Sequence, residues 1–324
     1  MIQDIAPQVM HNQFKDKSPA AAKGTDTVFA FEDRSIYCRL KEDGEHLQRS
    51  DMAGISFPTA EELLTAGAGA EDFIYLFAID EEAFWLYRGC LSMGRVETAE
   101  GSEHGQQPTQ ESSSCKTAAA ILETLQERYG YQPETTRVLR RANPKVSCYA
   151  GETAYHLYVW YRDNQFCGRC GKRTEYSHIE RAKRCPACGN IIYPKIAPAV
   201  IVGIMNEAKD KIVMTRYNGR AYKGNALVAG FCEIGETAEE TVKREVLEEV
   251  GLHVRNIHYY KSQPWGFDSN LLLGYYCTAD ETEPIHMDDG ELARAEWVPR
   301  NEIGEENRDL SLTAEMIMHF RDGM

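Results

Sequence analysis

The 324-residue sequence contains no apolar run approaching the about 18 residues a membrane-spanning helix needs. Its start, MIQDIAPQVMHNQFKDK, lacks the basic-then-apolar order of an export signal, so the expectation is a cytoplasmic protein with no membrane partner. Positive charge is scarce, with 36 Lys and Arg against 50 Asp and Glu and a net charge of −14. That balance disfavours a protein relying on the sequence-independent attraction of nucleic-acid phosphates. An acidic protein that acts on an anionic substrate needs local cations, either bound metal or placed Arg and Lys. Also absent are the G-x-x-x-x-G-K-[ST] phosphate loop, the G-x-S-x-G elbow, H-E-x-x-H and G-x-G-x-x-G, so no second catalytic system competes with the one described next.

What is present is concentrated in Gly230 to Leu252, GFCEIGETAEETVKREVLEEVGL. Gly230 and Gly235 break the chain around a short turn. Thr237 stands at an N-cap position with Glu240 three residues on, the order of a capping box, so a helix is expected from about Ala238 to Val250. At about 100° per residue, Glu245, Glu248 and Glu249 fall in one arc, and Val246, Leu247 and Val250 in an opposite, buried arc. Three crowded carboxylates repel unless a divalent cation neutralises them, and oxygen-only ligands suit Mg²⁺ or Mn²⁺. Gly251 is the expected C-terminal stop. The bland alternative is an acidic, solvated helix.

Ten cysteines include two C-x-x-C pairs, Cys167/Cys170 and Cys185/Cys188, fourteen residues apart. The glycines that follow, Gly171 and Gly189, permit tight knuckles whose N–H groups point at sulfur, and four thiolates in two knuckles make a closed, structural Zn²⁺ site, one ion per chain. A redox dithiol would offer one C-x-x-C on an α/β unit, and an Fe–S cluster is the minor alternative. Cys38, Cys90, Cys115, Cys148, Cys232 and Cys277 read as buried thiols.

With 43% hydrophobic residues, the chain has material for two or three domains. Val28 to Phe31, Phe73 to Ile79 and Ala83 to Tyr87 read as strands of a small β-rich region over 1–150, and the polar 97–114 as an exposed loop. Ala118 to Tyr129 and Glu152 to Asp163 read as helices, the second leading into a ribbon within 151–196. Over 197–324, strands are expected at 199–205, 211–215, 226–229, 257–261, 271–277 and 295–298, with a closing helix at 312–320. Strands with helices at two points give an α/β (α+β) domain, a mixed sheet flanked by helices.

The frame Gly230, five residues, Glu236, seven residues, Arg244-Glu245-Val246, one residue, Glu248-Glu249, one residue, Gly251-Leu252 resembles the box of the Nudix hydrolases at every specified position. After it, Ser262-Gln263-Pro264-Trp265-Gly266-Phe267-Asp268-Ser269-Asn270 resembles the SQPWPFPxS stretch of the NADH pyrophosphatase (NudC-type) branch of that superfamily. Gly266 and Asp268 replace prolines and Asn270 replaces the serine, which bears on loop shape and on selectivity for NADH. The ribbon, the Tyr193-Pro194-Lys195-Ile196-Ala197-Pro198 linker, the box and the SQPW stretch occur in that branch's order, covering about 160–324.

The resemblance implies a Nudix α/β/α sandwich and metal-dependent hydrolysis of the NAD(H) pyrophosphate to nicotinamide mononucleotide and AMP. NAD-capped RNA is a further substrate in that branch. It implies metal at Glu245, Glu248, Glu249 and Glu291, with Glu249 first and Glu291 second choice as base. Asp288 and Asp289 compete with Glu291. Glu236 and Arg244 would pair to fix the loop to the helix. Substrate contacts would fall on Phe231, Trp265, Tyr193, Gln263 and Ala314, in a homodimer. Two rivals stand beside it: a broader dinucleotide or ADP-sugar pyrophosphatase, and a non-catalytic nucleotide- or RNA-binding module.

Overall fold

The apolar run Ala199 to Met205 is uninterrupted because both faces of its strand are covered. In the computed structural model, which describes all residues except 15–18, 42–53, 93–109, 219–223, 288–289, 291, 306 and 324, and only the backbone of 110–116, this strand is Ala197–Met205, β1. Its side chains alternate with the two-residue period of a pleated strand. Ala199, Ile201 and Met205 join a core with Leu312, Met316, Ile317 and Phe320, whereas Val200, Val202 and Ile204 join a second core with Val242, Val246 and Val250.

The chain forms two compact units, Met1–Gln3 with Ile196–Met324, and Asp4–Lys195. The first contains β1, Lys211–Tyr217 (β2), Val228–Phe231 (β3), Ala238–Val250 (α1), Val254–Trp265 (β4), Asn270–Ala279 (β5), Leu292–Pro299 (β6) and Leu312–Arg321 (α2). The sheet order is β4-β5-β1-β2-β6, with β3 on β1. β1 and β5 are parallel and the remaining pairings antiparallel, so the sheet is mixed. The expected sandwich is present: α1 covers one face and α2 the other.

The expected helix at 238–250 is observed at those residues, with Thr237 and Glu240 bonded reciprocally as a capping box and Gly251 at φ 71°, a left-handed conformation few side chains tolerate. One residue of its expected buried arc is misplaced. Leu247 is 47% exposed, and Glu249 is 3% exposed. The buried stripe is centred on Val242, Val246 and Val250, recurring every four residues, which turns Leu247 outward and Glu249 toward β3. The SQPW stretch is not a loop. Ser262 to Trp265 continues β4, and only Gly266–Asp268 forms a short 3₁₀ turn.

In the Asp4–Lys195 unit, Phe73–Ile79 and Glu82–Tyr87 pair as a hairpin, joined on its flanks by Met10–His11 and Thr27–Phe29. The expected strand at 28–31 is divided at Ala30, where Phe31–Glu32 turns to pair with Ser35–Lys41. Helices run over Gln110–Tyr129 and Lys145–Asp163, both longer at the N-terminal end than the sequence suggested; the described backbone at 110–114 is helix rather than loop. The point 150/151 lies inside the second of these helices, where Ala150 and Gly151 are buried. Three short strands, Glu175–Tyr176, Lys183–Arg184 and Ile191–Ile192, form the ribbon sheet. Cys38, Cys90, Cys148 and Cys277 are buried as expected, Cys232 is only partly so, and the Cys115 side chain lies outside the described residues. No helix among the described residues is long and apolar enough to cross a membrane.

Candidate active site

Capping fixes where α1 starts, and its start fixes which side chains meet β3. Glu245 lies against the backbone of Gly230 so closely that a Cβ there would stand 1.9 Å from the Glu245 carboxyl carbon. Glycine at 230 is therefore a packing requirement of the carboxylate. Glu249 is buried, and its Oε1 accepts from the Ala229 N–H at 3.4 Å. Glu248 remains 59% exposed, against 13% for Glu245. The three carboxylates thus span a gradient from interior to solvent along one flank of α1.

Arg244 ties this arrangement together. Its guanidinium grips Glu236 in a bidentate fork, Nε to Oε1 at 2.6 Å and Nη2 to Oε2 at 2.9 Å. Nη1 donates to Glu245 at 2.7 Å and to Glu248 at 3.1 Å, and Nη2 also to the Phe231 carbonyl at 3.0 Å. The expected Glu236–Arg244 pair is present, and it reaches two of the glutamates as well. Arg244 foremost, with the Glu233 N–H and the Thr241 hydroxyl, holds Glu236 down to about 2. In return these carboxylates raise Arg244 above its ordinary value.

A cavity of about 440 Å³ opens beside Glu245, lined by Phe231, Tyr217, Glu233, Asn270 and apolar residues of β1 and β5. Of the expected substrate contacts, Phe231 lines it. Gln263 does not: it is buried, its Oε1 accepting the Leu312 N–H at 2.7 Å and its Nε2 donating to Gln3, so it caps α2 rather than facing a ligand. Ala314 is buried in the first turn of α2, its N–H on Ser311 Oγ. Trp265 packs edge-on against Phe267 at 5.0 Å and donates Nε1–H to Asp268 at 3.1 Å. Tyr193 belongs to the Asp4–Lys195 unit, exposed, with its hydroxyl on Glu180. Glu291, Asp288 and Asp289 lie outside the described residues.

Asn270 was visible in the sequence only as a departure. In the structure it lines the cavity, is buried, and its Oδ1 accepts no hydrogen bond from any described residue. An unmatched buried carbonyl facing a cavity is a ready acceptor for a ligand N–H or O–H. The mismatch between Asn270 and the serine of the SQPWPFPxS pattern was the signal that could have found it.

Among the described residues, one group brings at least three metal-ligating atoms within 4.8 Å of one another: Cys167, Cys170, Cys185 and Cys188. Sulfur pairs stand 3.7 Å and 3.4 Å apart, near the about 3.8 Å edge of a tetrahedron with Zn–S of about 2.3 Å. The two knuckles repeat one pattern: Gly171 N–H to Cys167 O and Gly189 N–H to Cys185 O. The Arg169 N–H foremost holds the Cys167 thiol down to about 6. Cys170 has the Lys172 N–H acting to lower it, yet hydrogen bonds with Cys185 and Cys188 push it up to about 12. A bound cation would remove that conflict, so the residues fit zinc. The glutamates, by contrast, do not converge in that way. Arg244 lies on two of them and supplies the positive charge, while the donor set remains three hard oxygen ligands on one helix flank.

Residues 195–320 match the NUDIX domain family, and residues 162–193 the NADH pyrophosphatase zinc ribbon domain. Similar curated proteins include two named NAD-capped RNA hydrolase NudC, from Yersinia pestis (strain Pestoides F) and Yersinia pseudotuberculosis serotype O:1b (strain IP 31758). Each is 41% identical over 141 residues, covering 44% of this chain and 53% of the relative. The chain thus spans about half the length of the curated relatives it matches. Among solved structures, a NUDIX hydrolase from Nitrosomonas europaea is 23% identical with a TM-score of 0.35, covering 43% of this chain and 80% of that one.

Proposed function

We propose, for a chain whose residues 195–320 are a Nudix domain preceded in sequence by an NADH pyrophosphatase zinc ribbon domain, that it hydrolyses the pyrophosphate of NAD(H) to nicotinamide mononucleotide and AMP. NAD-capped RNA is included as a substrate, in line with the names of its relatives. The observation that carries this reading is the graded set Glu245, Glu248 and Glu249, held by Gly230 and Arg244 beside a cavity that presents Phe231 and Asn270.

In this reading Glu245, Glu248 and Glu249, with Glu291, would hold Mg²⁺ or Mn²⁺. Such a cation would supply positive charge against the pyrophosphate and make the attacking water more acidic. Glu249, shielded from solvent, takes the proton of the attacking water, with Glu291 as second candidate. Arg244 positions Glu245 and Glu248 and keeps its fork on Glu236. Phe231 offers a ring face for stacking, with Trp265 and Tyr193 as further aromatic surfaces, and Asn270 Oδ1 accepts from the ligand. Zinc at the four cysteines is structural. A homodimer, a cytoplasmic setting and the division into 1–150, 151–196 and 197–324 complete the proposal.

The test is product analysis with Mg²⁺ or Mn²⁺ across NADH, NAD⁺, ADP-ribose and diadenosine diphosphate, beside Glu249→Gln. NADH turned over far faster than the others, and lost in the variant, is the expected result. Level rates would favour the broader pyrophosphatase, to which the Gly266, Asp268 and Asn270 replacements point. No metal-dependent turnover on any substrate would sink both enzyme readings.

A further inference from the structure

A second cavity is lined by none of the site glutamates. It measures about 1010 Å³ and lies wholly in the Asp4–Lys195 unit, between ribbon residues and the segment around Tyr87 to Leu91. In a chain with net charge −14, its lining carries Arg88, Lys172, Arg173 and Lys183 against only Asp72 and Glu175, with His178 beside them.

Lys183 is the informative member. It is only 2% exposed, and its cross-strand partner is Tyr176, whose ring centroid lies 4.9 Å from the ammonium. The Arg88 guanidinium stands 5.4 Å from the same ring. Tyr176 therefore has two cations around it. Neither has a carboxylate partner among the described residues, and neither bonds a cysteine sulfur. Asp72, in the same lining, accepts the Gly69 N–H at 2.9 Å and forms no ion pair with them. Burying an ammonium without a counter-charge is costly, and cation–π contact offsets that only in part. Gathering further like charges around it raises the cost, unless an anion fills the space.

We infer that this cavity is a second binding site, for an oligophosphate anion, with Lys183 at its floor and Arg88, Lys172 and Arg173 at its mouth. The cavity could hold a chain of phosphates, and a polyanion is the partner that satisfies several cations at once. Lys183 sits two residues before Cys185 and Arg173 three after Cys170, so the ribbon itself supplies much of the charge. A folded ribbon is thus a condition of the site.

The experiment is isothermal titration of the zinc-loaded full chain with sodium tripolyphosphate, at about 150 mM salt and without added divalent cation. The expected result is one saturable site per chain with Kd below about 1 mM. Lys183→Met should weaken it by about tenfold or more without lowering the thermal midpoint of the free protein, because the variant removes an unpaired buried charge. Arg88→Gln and Lys172→Gln, at exposed positions, should each weaken it and carry the test if the Lys183 variant does not fold. Glu249→Gln should bind as the parent does. ATP titrated in parallel should bind no more weakly than tripolyphosphate. No saturable binding would overturn the inference, as would parental affinity in all three cation variants or loss of binding in Glu249→Gln.

Discussion

Gly230→Ala isolates one contact of the candidate active site. Gly230 carries no positive φ that alanine would have to strain to adopt, so the added methyl acts by contact alone. Its Cβ would lie 1.9 Å from the Glu245 carboxyl carbon, and 2.0 and 2.2 Å from the two oxygens. Ordinary contact begins near 3.4 Å, so the carboxylate must retreat by about 1.5 Å. Because the obstacle is the end of a flexible side chain, the fold has a cheap way to yield. The strand loses a glycine, worth about 0.5–1 kcal/mol in favour of alanine, which offsets part of an overpacking cost of about 1–3 kcal/mol. Stability should therefore fall by no more than about 2.5 kcal/mol. Displacing a site carboxylate by more than 1 Å should cost about 10²-fold in turnover. The assay is metal-dependent NADH hydrolysis in four proteins: parent, Gly230→Ala, Glu245→Gln and the double variant. If the methyl acts through Glu245, its effect should nearly vanish in the Glu245→Gln background. A Gly230→Ala enzyme within threefold of parent, or a full additive loss in the double variant, would refute the reasoning.

Glu236 has its folded pKa at about 2, below its ordinary 4.5, so its contribution to stability is complete above pH 4.5 and drains away as pH falls toward 2. Urea midpoints between pH 7 and 3 should therefore fall less steeply in Glu236→Gln than in the parent; parallel curves would contradict the assigned pair. Cys185→Ser should abolish stoichiometric zinc, read by elemental analysis, and lower the thermal midpoint of the Asp4–Lys195 unit. Tyr276→Phe removes a buried donor to the Met316 carbonyl at 2.6 Å on the α2 face of the sheet. It should cost about 1–2 kcal/mol in chemical denaturation while leaving kcat as it was. Asn270→Ala should lower kcat/KM by about threefold to tenfold through KM, as expected for one lost neutral hydrogen bond; an unchanged KM would remove Asn270 from the ligand's contacts.

Helix α1 was legible because its ends are written locally. Thr237 with Glu240 opens it and Gly251 closes it, and each device involves neighbours in the chain. The four-cysteine cluster was legible for the same reason, since each knuckle is made by residues a few positions apart. The misreadings share a tertiary origin. Helical periodicity gave Leu247 and Glu249 their angles, but which flank is buried was decided by β3 packing on α1, and Glu249 rather than Leu247 lies on that side. The polar composition of residues 110–114 says nothing of whether they extend a helix, and they do.

Pro264 shows how one residue can argue for the wrong element and still fit the right one. Proline donates no ladder bond, which argues against a strand through SQPW. The strand it belongs to, β4, lies at the edge of the sheet and pairs only with β5, so an absent N–H can be accommodated there. The two replaced prolines then take on a structural meaning. Asp268 accepts the Trp265 indole N–H at 3.1 Å, a bond no proline could provide, and Gly266 packs inside the turn. The turn that lost its prolines is thus held by side-chain bonding instead of by ring constraint, and Asn270, the third departure, begins β5 at the cavity wall. Under the proposed function, Asn270 and the setting of Trp265 are where substitution should alter selectivity between NADH and other dinucleotides.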